Sequence, residues 1–188
     1  ACAPNLPRLR LPDLPRDPAA FNVATTRLAN GTTLLRPAVC GNGLSYFDLA
    51  VDRSASMDYG SGGLTKFRHA CHLAAALGYV TVKSRDSIGL FLHSDKVDER
   101  FAARSSLQHL NNLLKTLHAA TPASTTGVAE ALHEIAASVR RRALIVVLSD
   151  LLADPEPITT ALAHLRRQRH DVIVLHVLDP VELDLSLK

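Results

Sequence analysis

Three oxygen-bearing side chains follow the first buried strand that can be recognised in the sequence. The apolar run that begins at Tyr46 ends in Asp52, and Ser54 and Ser56 follow within "DRSAS". Serine hydroxyls two residues apart in a tight loop can point the same way, and a carboxylate just before them can hold them through hydrogen bonds or water. Mg²⁺ binds about six oxygens in an octahedron. The stretch therefore favours a site for a hard divalent cation.

Two further oxygen donors belong to a later part of the chain. Asp150 ends the apolar run "ALIVVLSD", and Thr126 lies in "PASTTGVAEAL", at the start of the helix that leads into that run. Because ligands of α/β sheets bind beyond the carboxyl ends of parallel strands, Asp150 is expected beside Asp52. Neutral hydroxyl ligands leave the charge of a cation partly uncompensated. Such an ion retains affinity for one more carboxylate, which a partner protein can supply.

Two other kinds of site are compatible with parts of this stretch, a phosphate-binding loop and a serine nucleophile. The glycine-rich "GSGG" at 60–63 lacks both the GxGxxG spacing and the GK[ST] ending of phosphate-binding loops, and a turn before the next helix is the simpler interpretation. A nucleophilic Ser54 or Ser56 would require a base, and "RSASM" is not the GxSxG motif. His93 is the only histidine that the sequence places near this edge of the sheet.

Apolar runs alternate with helical periodicity from residue 45 onward. This alternation predicts an α/β fold, with a doubly wound, mostly parallel sheet and helices on both faces. "KVDERFAA" is expected to be an antiparallel edge strand, and His176 a core histidine within the last core strand. The runs that predict the core strands are "SYFDLAV", "SIGLFLH", "ALIVVLS" and "DVIVLHVL".

Composition and charge limit the classes of protein that the chain can belong to. The net charge of +3 does not indicate nucleic-acid binding, and no run approaches the ~18 apolar residues that a membrane helix needs. Three cysteines without metal-type spacing are consistent with the cytoplasm. Residues 1–44 are expected to form a proline-rich N-terminal arm with a possible hairpin at Asn30–Gly31, and residues 45–188 to form the main domain.

The complete set of five oxygen donors resembles the metal-ion-dependent adhesion site of von Willebrand factor A domains. All positions of the DxSxS…T…D pattern are present in order: Asp52, Ser54, Ser56, Thr126 and Asp150. The resemblance implies a von Willebrand A-like domain over residues 45–188 that binds Mg²⁺ or Mn²⁺. The two serines and the threonine are expected to bind the ion directly, and the two aspartates directly or through water.

Simpler roles exist for some of these residues. Asp52 and Asp150 are each suited to cap the helix that follows, but the five positions together favour the metal site. Thr125 competes with Thr126 for the ligand position, and Thr126 is preferred because its offset to Ala131 matches the resembled pattern.

Longer stretches resemble the bacterial domain-of-unknown-function 58 family over residues 49–185. They include "DRSASM", "KFRHACHLAAALGYVTVKSRDSIGLFLHSD", "RRRALIVVLSDLLAD" and "LRRQRHDVIVLHVLDPVELDL". The resemblance implies a working partnership with an AAA+ ATPase of the MoxR type.

The expected function is divalent-cation-dependent protein–protein interaction, in which the ion bridges to a carboxylate of the partner. No convincing catalytic constellation is evident in the sequence. A metal-dependent hydrolase that acts on phosphoesters is the alternative, with His93 or Asp58 as its general base. A purely structural module is the third possibility.

Overall fold

The computed structural model describes residues 23–27, 33–37, 45–123, 125 and 127–184. The chain divides into two compact units, residues 1–38 and residues 39–188. The first unit contains the strands β1 (Val23–Arg27) and β2 (Thr33–Pro37), which pair antiparallel on either side of Asn30–Gly31. The proline-rich part of the predicted arm, residues 1–20, lies outside the described residues.

The second unit carries the candidate site. Its elements are, in chain order, β3 (Tyr46–Asp52), α1 (Lys66–Lys83), β4 (Ser87–His93), β5 (Val97–Arg104), α2 (Leu107–Ala119), α3 (Val128–Ser138), β6 (Leu144–Ser149), α4 (Pro155–Arg167), β7 (Asp171–His176) and α5 (Pro180–Asp184). The strands form one sheet in the order β5–β4–β3–β6–β7. All neighbours are parallel except β4 and β5. The predicted α/β class, with its antiparallel edge strand, is confirmed.

The helices cover both faces of this sheet, and their sequences explain why they form there. Helix α1 places Phe67, Ala70 and Cys71 at helical spacing against one face, and all three are buried. The hydroxyl of Thr65 caps its first turn by accepting a hydrogen bond from the amide of Arg68. Helix α2 packs on the same face, whereas α3 and α4 bury their apolar residues against the other.

The order of strands reverses beside β3. From β3 the chain moves outward to β4 and β5, and it then returns to β6 on the other side of β3. Helix α1 leaves β3 on one face and leads to β4, whereas α4 leaves β6 on the opposite face and leads to β7. The carboxyl ends of β3 and β6 therefore lie beside the crevice where connections diverge, which is where α/β sheets bind ligands. Among the described residues, no helix combines the length and apolar character needed to span a bilayer.

The prediction of β7 as a core strand with His176 in the core is wrong. β7 is the edge strand beside β6; Ile173 is exposed and so is His176. Its apolar sequence resembles that of a central strand because its other residues remain half-buried. By contrast β6, which has neighbours on both sides, is buried along almost its whole length.

Asp48 is a buried carboxyl group in the middle of β3. It is 5% exposed and lies over Gly89 of β4, where a Cβ atom would collide with Asp48 Oδ1. No hydrogen bond to its carboxyl group is formed within the described part of the chain. Burial raises the pKa of Asp48 to about 6, although the positive charge of Arg100 opposes the shift.

We expect Asp48→Asn to stabilise the protein at neutral pH. The folded-state pKa of Asp48 lies above its ordinary value of 3.8, so the free energy of unfolding falls as pH rises from about 4 to about 6. The variant should be more stable at pH 7 by up to about 3 kcal/mol, and equal to the wild type or less stable near pH 4. Urea unfolding at both pH values, with the exposed Asp58→Asn as control, measures the difference. Equal effects at the two pH values would contradict the assignment.

Candidate metal centre

Asp52 ties the end of β3 to the end of β6. Its side chain is fully buried, and Oδ1 accepts a hydrogen bond of 2.8 Å from the amide of Ser54. Its other oxygen, Oδ2, accepts a hydrogen bond from the hydroxyl of Ser149, the last residue of β6. Both carboxylate oxygens of Asp52 are therefore already engaged by protein donors. This arrangement suits a residue that orients the loop and the ligands on it, rather than one that coordinates an ion directly with a free carboxylate.

The predicted serine ligands and Asp150 form a continuous row of oxygens. Ser54 Oγ lies 3.1 Å from Ser56 Oγ, which in turn donates to Asp150 Oδ1 at 3.2 Å. Directly after Ser54 the chain makes a single 3₁₀ turn, Ala55–Asp58, which contains Ser56 and is anchored by the fully buried Met57. Adjacent oxygens of an octahedral Mg²⁺ site lie about 3 Å apart, given metal–oxygen distances of about 2.1 Å. The spacing of the three side chains fits this requirement.

The fifth predicted ligand, Thr126, lies outside the described residues. Its competitor Thr125 is described, and its hydroxyl donates to Asp95 Oδ1 at 3.1 Å. Within the described residues, no three side chains of His, Cys, Asp or Glu are grouped so that they could hold a metal ion. The candidate centre is therefore a set of two hydroxyls and one carboxylate, Ser54, Ser56 and Asp150, with Asp52 behind them.

A buried ammonium group, which the sequence interpretation missed, contacts Asp150. Lys66 Nζ lies 2.8 Å from Asp150 Oδ2 and 2.6 Å from Glu182 Oε1. Burial acts to lower the pKa of Lys66, but the hydrogen bonds to the two carboxylates outweigh it and the net shift is upward. Lys66 is the first residue of α1, where the helix dipole disfavours a cation. That unfavourable placement is a sequence signal for some nearby carboxylate, but it does not indicate which one.

The carboxyl-terminal segment is fastened to the loop after β3. Asp179 accepts hydrogen bonds from both the amide and the hydroxyl of Ser61, at 2.8 and 2.6 Å. These bonds and the one from the amide of Val181 lower the pKa of Asp179. The amide of Asp179 donates to Glu182 Oε2 at 2.9 Å. The amide of Ser61 in "GSGG" is thus used within the chain, which counts against the phosphate-binding alternative.

Two histidines, rather than one, lie at this edge of the sheet. His93 ends β4 directly beside Asp52, and its imidazole is fully buried without a hydrogen-bond partner for either nitrogen among the described residues. Burial lowers the pKa of His93, although the carboxylate of Asp52 opposes the shift. His176 Nε2 lies 2.8 Å from the carbonyl oxygen of Asp150. The interpretation of His93 as the only histidine near the site is therefore wrong.

A family model for "Protein of unknown function DUF58" matches residues 45–187, which include every described residue of the site. The chain belongs to the DUF58 family. An uncharacterized protein of Mycobacterium tuberculosis, Rv1480, is 31% identical over 144 residues, or 73% of this chain and 44% of that protein. A second uncharacterized protein, Mb1516 of Mycobacterium bovis, matches to the same extent. The chain thus spans less than half the length of the curated relatives that it matches.

Solved structures share the fold of this DUF58 chain at low sequence identity. The crystal structure of an aerotolerance-related membrane protein from Bacteroides fragilis has a TM-score of 0.57 and 19% identity, over 71% of this chain and 67% of that chain. The conserved hypothetical protein BatB from Bacteroides thetaiotaomicron has a TM-score of 0.54 and 17% identity, over 69% of this chain and 65% of that chain. At these identities the likeness concerns the fold.

Exposed apolar side chains lie close to the candidate centre of this DUF58 chain. We call Tyr59, Leu64, Leu152 and Leu183 the apolar rim. The Tyr59 ring lies 5.9 Å from Lys66 Nζ, and the amide of Leu152 donates to Asp150 Oδ1. Leu64 precedes the cap of α1, and Leu183 follows Glu182. Leu152 is 67% exposed and Leu183 is 65% exposed. These side chains add exposed apolar surface beside the polar residues of the centre.

Proposed function

We propose that this chain is a divalent-cation-dependent module for protein recognition. In this proposal Mg²⁺ or Mn²⁺ binds the hydroxyls of Ser54 and Ser56 directly, with Thr126 as a further ligand. Asp52 and Asp150 act directly or through bound water. The observation that carries the proposal is the row of oxygens from Ser54 to Asp150. Their spacing fits octahedral coordination, and they lie at the crevice beside the carboxyl ends of β3 and β6.

The charge balance of the site explains why the ion would recognise a partner. Ser54 and Ser56 contribute no negative charge, and Asp150 shares its single charge with the Lys66 ammonium. Both oxygens of Asp52 already accept hydrogen bonds from the protein. The neutral hydroxyl ligands leave the inner coordination sphere of such an ion short of negative charge and with positions for outside ligands. An Asp or Glu side chain of a partner protein supplies the missing oxygen and charge.

The surroundings of the centre favour recognition of a protein over hydrolysis of a small substrate. The apolar rim gives a partner surface to bury around the ion. A hydrolase would need a general base within hydrogen-bond reach of the water that it activates. His93, one of the two residues considered for that role, is fully buried beside Asp52 and has no exposed ring atom with which to meet a substrate, which leaves the exposed Asp58 as the remaining candidate.

The proposed partner is an AAA+ ATPase of the MoxR type, in a cytoplasmic setting. This part of the proposal depends on the resemblance to the family, to which the chain belongs over residues 45–187. A carboxylate on the ATPase, at the centre of its contact surface, would complete the coordination of the ion.

We expect Mg²⁺ or Mn²⁺ to stabilise the wild-type protein against heat. A cation at 100 times its Kd contributes about 2.7 kcal/mol, which raises Tm by roughly 5–10 °C in a domain of this size. Asp150→Asn should lose this increase because it removes the charged ligand. Asp154→Asn is the matched control, since Asp154 is exposed four residues further along and caps α4 without a side-chain hydrogen bond. A metal-induced increase of equal size in all three proteins would refute the assignment of the site.

We expect the chain to bind a MoxR-type ATPase from the same organism through this centre. Because EDTA would also remove Mg²⁺ from the ATPase, the comparison uses variants at constant Mg²⁺. Asp150→Asn should weaken binding by at least about tenfold, the loss typical of a buried charged contact, whereas Asp154→Asn should not change it. Surface plasmon resonance measures the Kd values. Binding of undiminished strength by Asp150→Asn would show that the ATPase contacts another part of the chain.

A further inference from the structure

Lys66 carries a positive charge in the interior of the candidate centre. Its side chain is only 3% exposed, and the carboxylate of Asp150 beside it is 2% exposed. A buried charge is unfavourable unless it is paired and hydrogen-bonded. The ammonium satisfies this requirement with two carboxylates, at 2.8 Å to Asp150 and 2.6 Å to Glu182. Lys66 is therefore an integral part of the site's charge distribution.

Asp150 divides its two oxygens between the row of ligands and this ammonium. Oδ1 accepts from the hydroxyl of Ser56 and from the amide of Leu152, whereas Oδ2 accepts from Lys66 Nζ. A divalent ion bound at the hydroxyls would use the same carboxylate as the ammonium. Two cations on one carboxylate repel each other, and the repulsion is strong where water is excluded.

Glu182 offers the ammonium a second place to bind. Its Oε1 accepts from Lys66 at 2.6 Å, the shorter of the two contacts, and its Oε2 accepts from the amide of Asp179. Asp179 is itself held by Ser61 of the loop after β3. Glu182 is thus fixed beside the centre, and its side chain is 30% exposed. The ammonium can remain paired with Glu182 when an ion takes Asp150.

We propose that Lys66 is a resident cation that competes with the divalent ion for Asp150, and that Glu182 accepts the ammonium when the ion binds. This inference rests on the proposed function of the same site. The competition weakens ion binding in the isolated chain. A partner that brings its own carboxylate adds a ligand and tightens the ion, and by linkage the ion tightens the partner to the same degree.

Titration with Mn²⁺, followed by the electron paramagnetic resonance signal of the free ion, tests the proposal without any activity assay. Lys66→Met should lower the Kd for Mn²⁺ by about tenfold or more, since it removes a unit charge close to the ion. Lys66→Arg keeps that charge and should bind Mn²⁺ within a few-fold of the wild type. Glu182→Gln should raise the Kd, because the ammonium then has only Asp150 as a charged partner.

The double variant Lys66→Met/Glu182→Gln separates the proposed exchange from the general effect of charge. If Glu182 acts by accepting the ammonium, its substitution changes the Kd in the wild type but not in the Lys66→Met background. An effect of Glu182→Gln that persists at full size in that background would overturn the role of Glu182. Near-ultraviolet circular dichroism checks that each variant is folded. If Lys66→Met does not fold, Lys66→Gln and Lys66→Gln/Glu182→Gln take the place of the two variants, because the Gln side chain is uncharged and can still hydrogen-bond to Asp150.

The remaining outcomes distinguish this inference from the proposed function. Wild type and Lys66→Met that bind Mn²⁺ equally would overturn the competition and leave the metal-dependent function intact. Weaker binding by folded Lys66→Met would show that Lys66 positions Asp150 as a ligand, which also overturns competition. If neither protein binds Mn²⁺, the metal-dependent function fails and the inference fails with it. Binding by Lys66→Met alone would support the competition in its strongest form.

Discussion

The parallel pairing of β3 with β6 is the constraint on which the candidate centre depends. The register places Val51 opposite Leu148, so Asp52 and Ser149 end neighbouring strands at the same level. Since α1 and α4 leave these strands on opposite faces, neither of these two helices closes the space between the strand ends. A hydrogen bond from Ser149 to Asp52 then fixes the two loops relative to each other. A slip of register by one residue would turn each side chain to the other face and separate the oxygens.

The polar network behind this edge connects the stability of the fold to the state of the site. Asp150, Lys66 and Glu182 bring together three elements that are far apart in sequence, and two of the three side chains are almost completely buried. A fully paired network of this kind holds its members in one arrangement, whereas an unpaired member is costly. An ion that binds Asp150 therefore changes how Lys66 is paired within the network. This couples the arrangement of the site to the binding of an ion or of a partner.

Local patterns in the sequence predicted the fold and most of the candidate ligands, and long-range contacts account for what was missed. The apolar run of β6 and the spacing in "DRSAS" were sufficient to bring Asp52, Ser54, Ser56 and Asp150 to one edge. The role of Lys66 depends on the return of α5 to the start of α1, which no local pattern encodes. The position of β7 at the edge of the sheet was hidden for a similar reason, because apolar residues also occur on half-covered edge strands. His176 was misplaced with it.

The location of Mn²⁺ in crystals of the chain, determined by anomalous diffraction, tests the central claim most directly. The account predicts one strong anomalous peak at the carboxyl edge of β3 and β6, with the hydroxyl oxygens of Ser54 and Ser56 at roughly 2.1–2.2 Å, as expected for a small octahedral divalent ion. Asp150 and Lys66 Nζ should be further apart than the 2.8 Å that separates them without the ion. A peak elsewhere, or no peak at saturating Mn²⁺, would contradict the account.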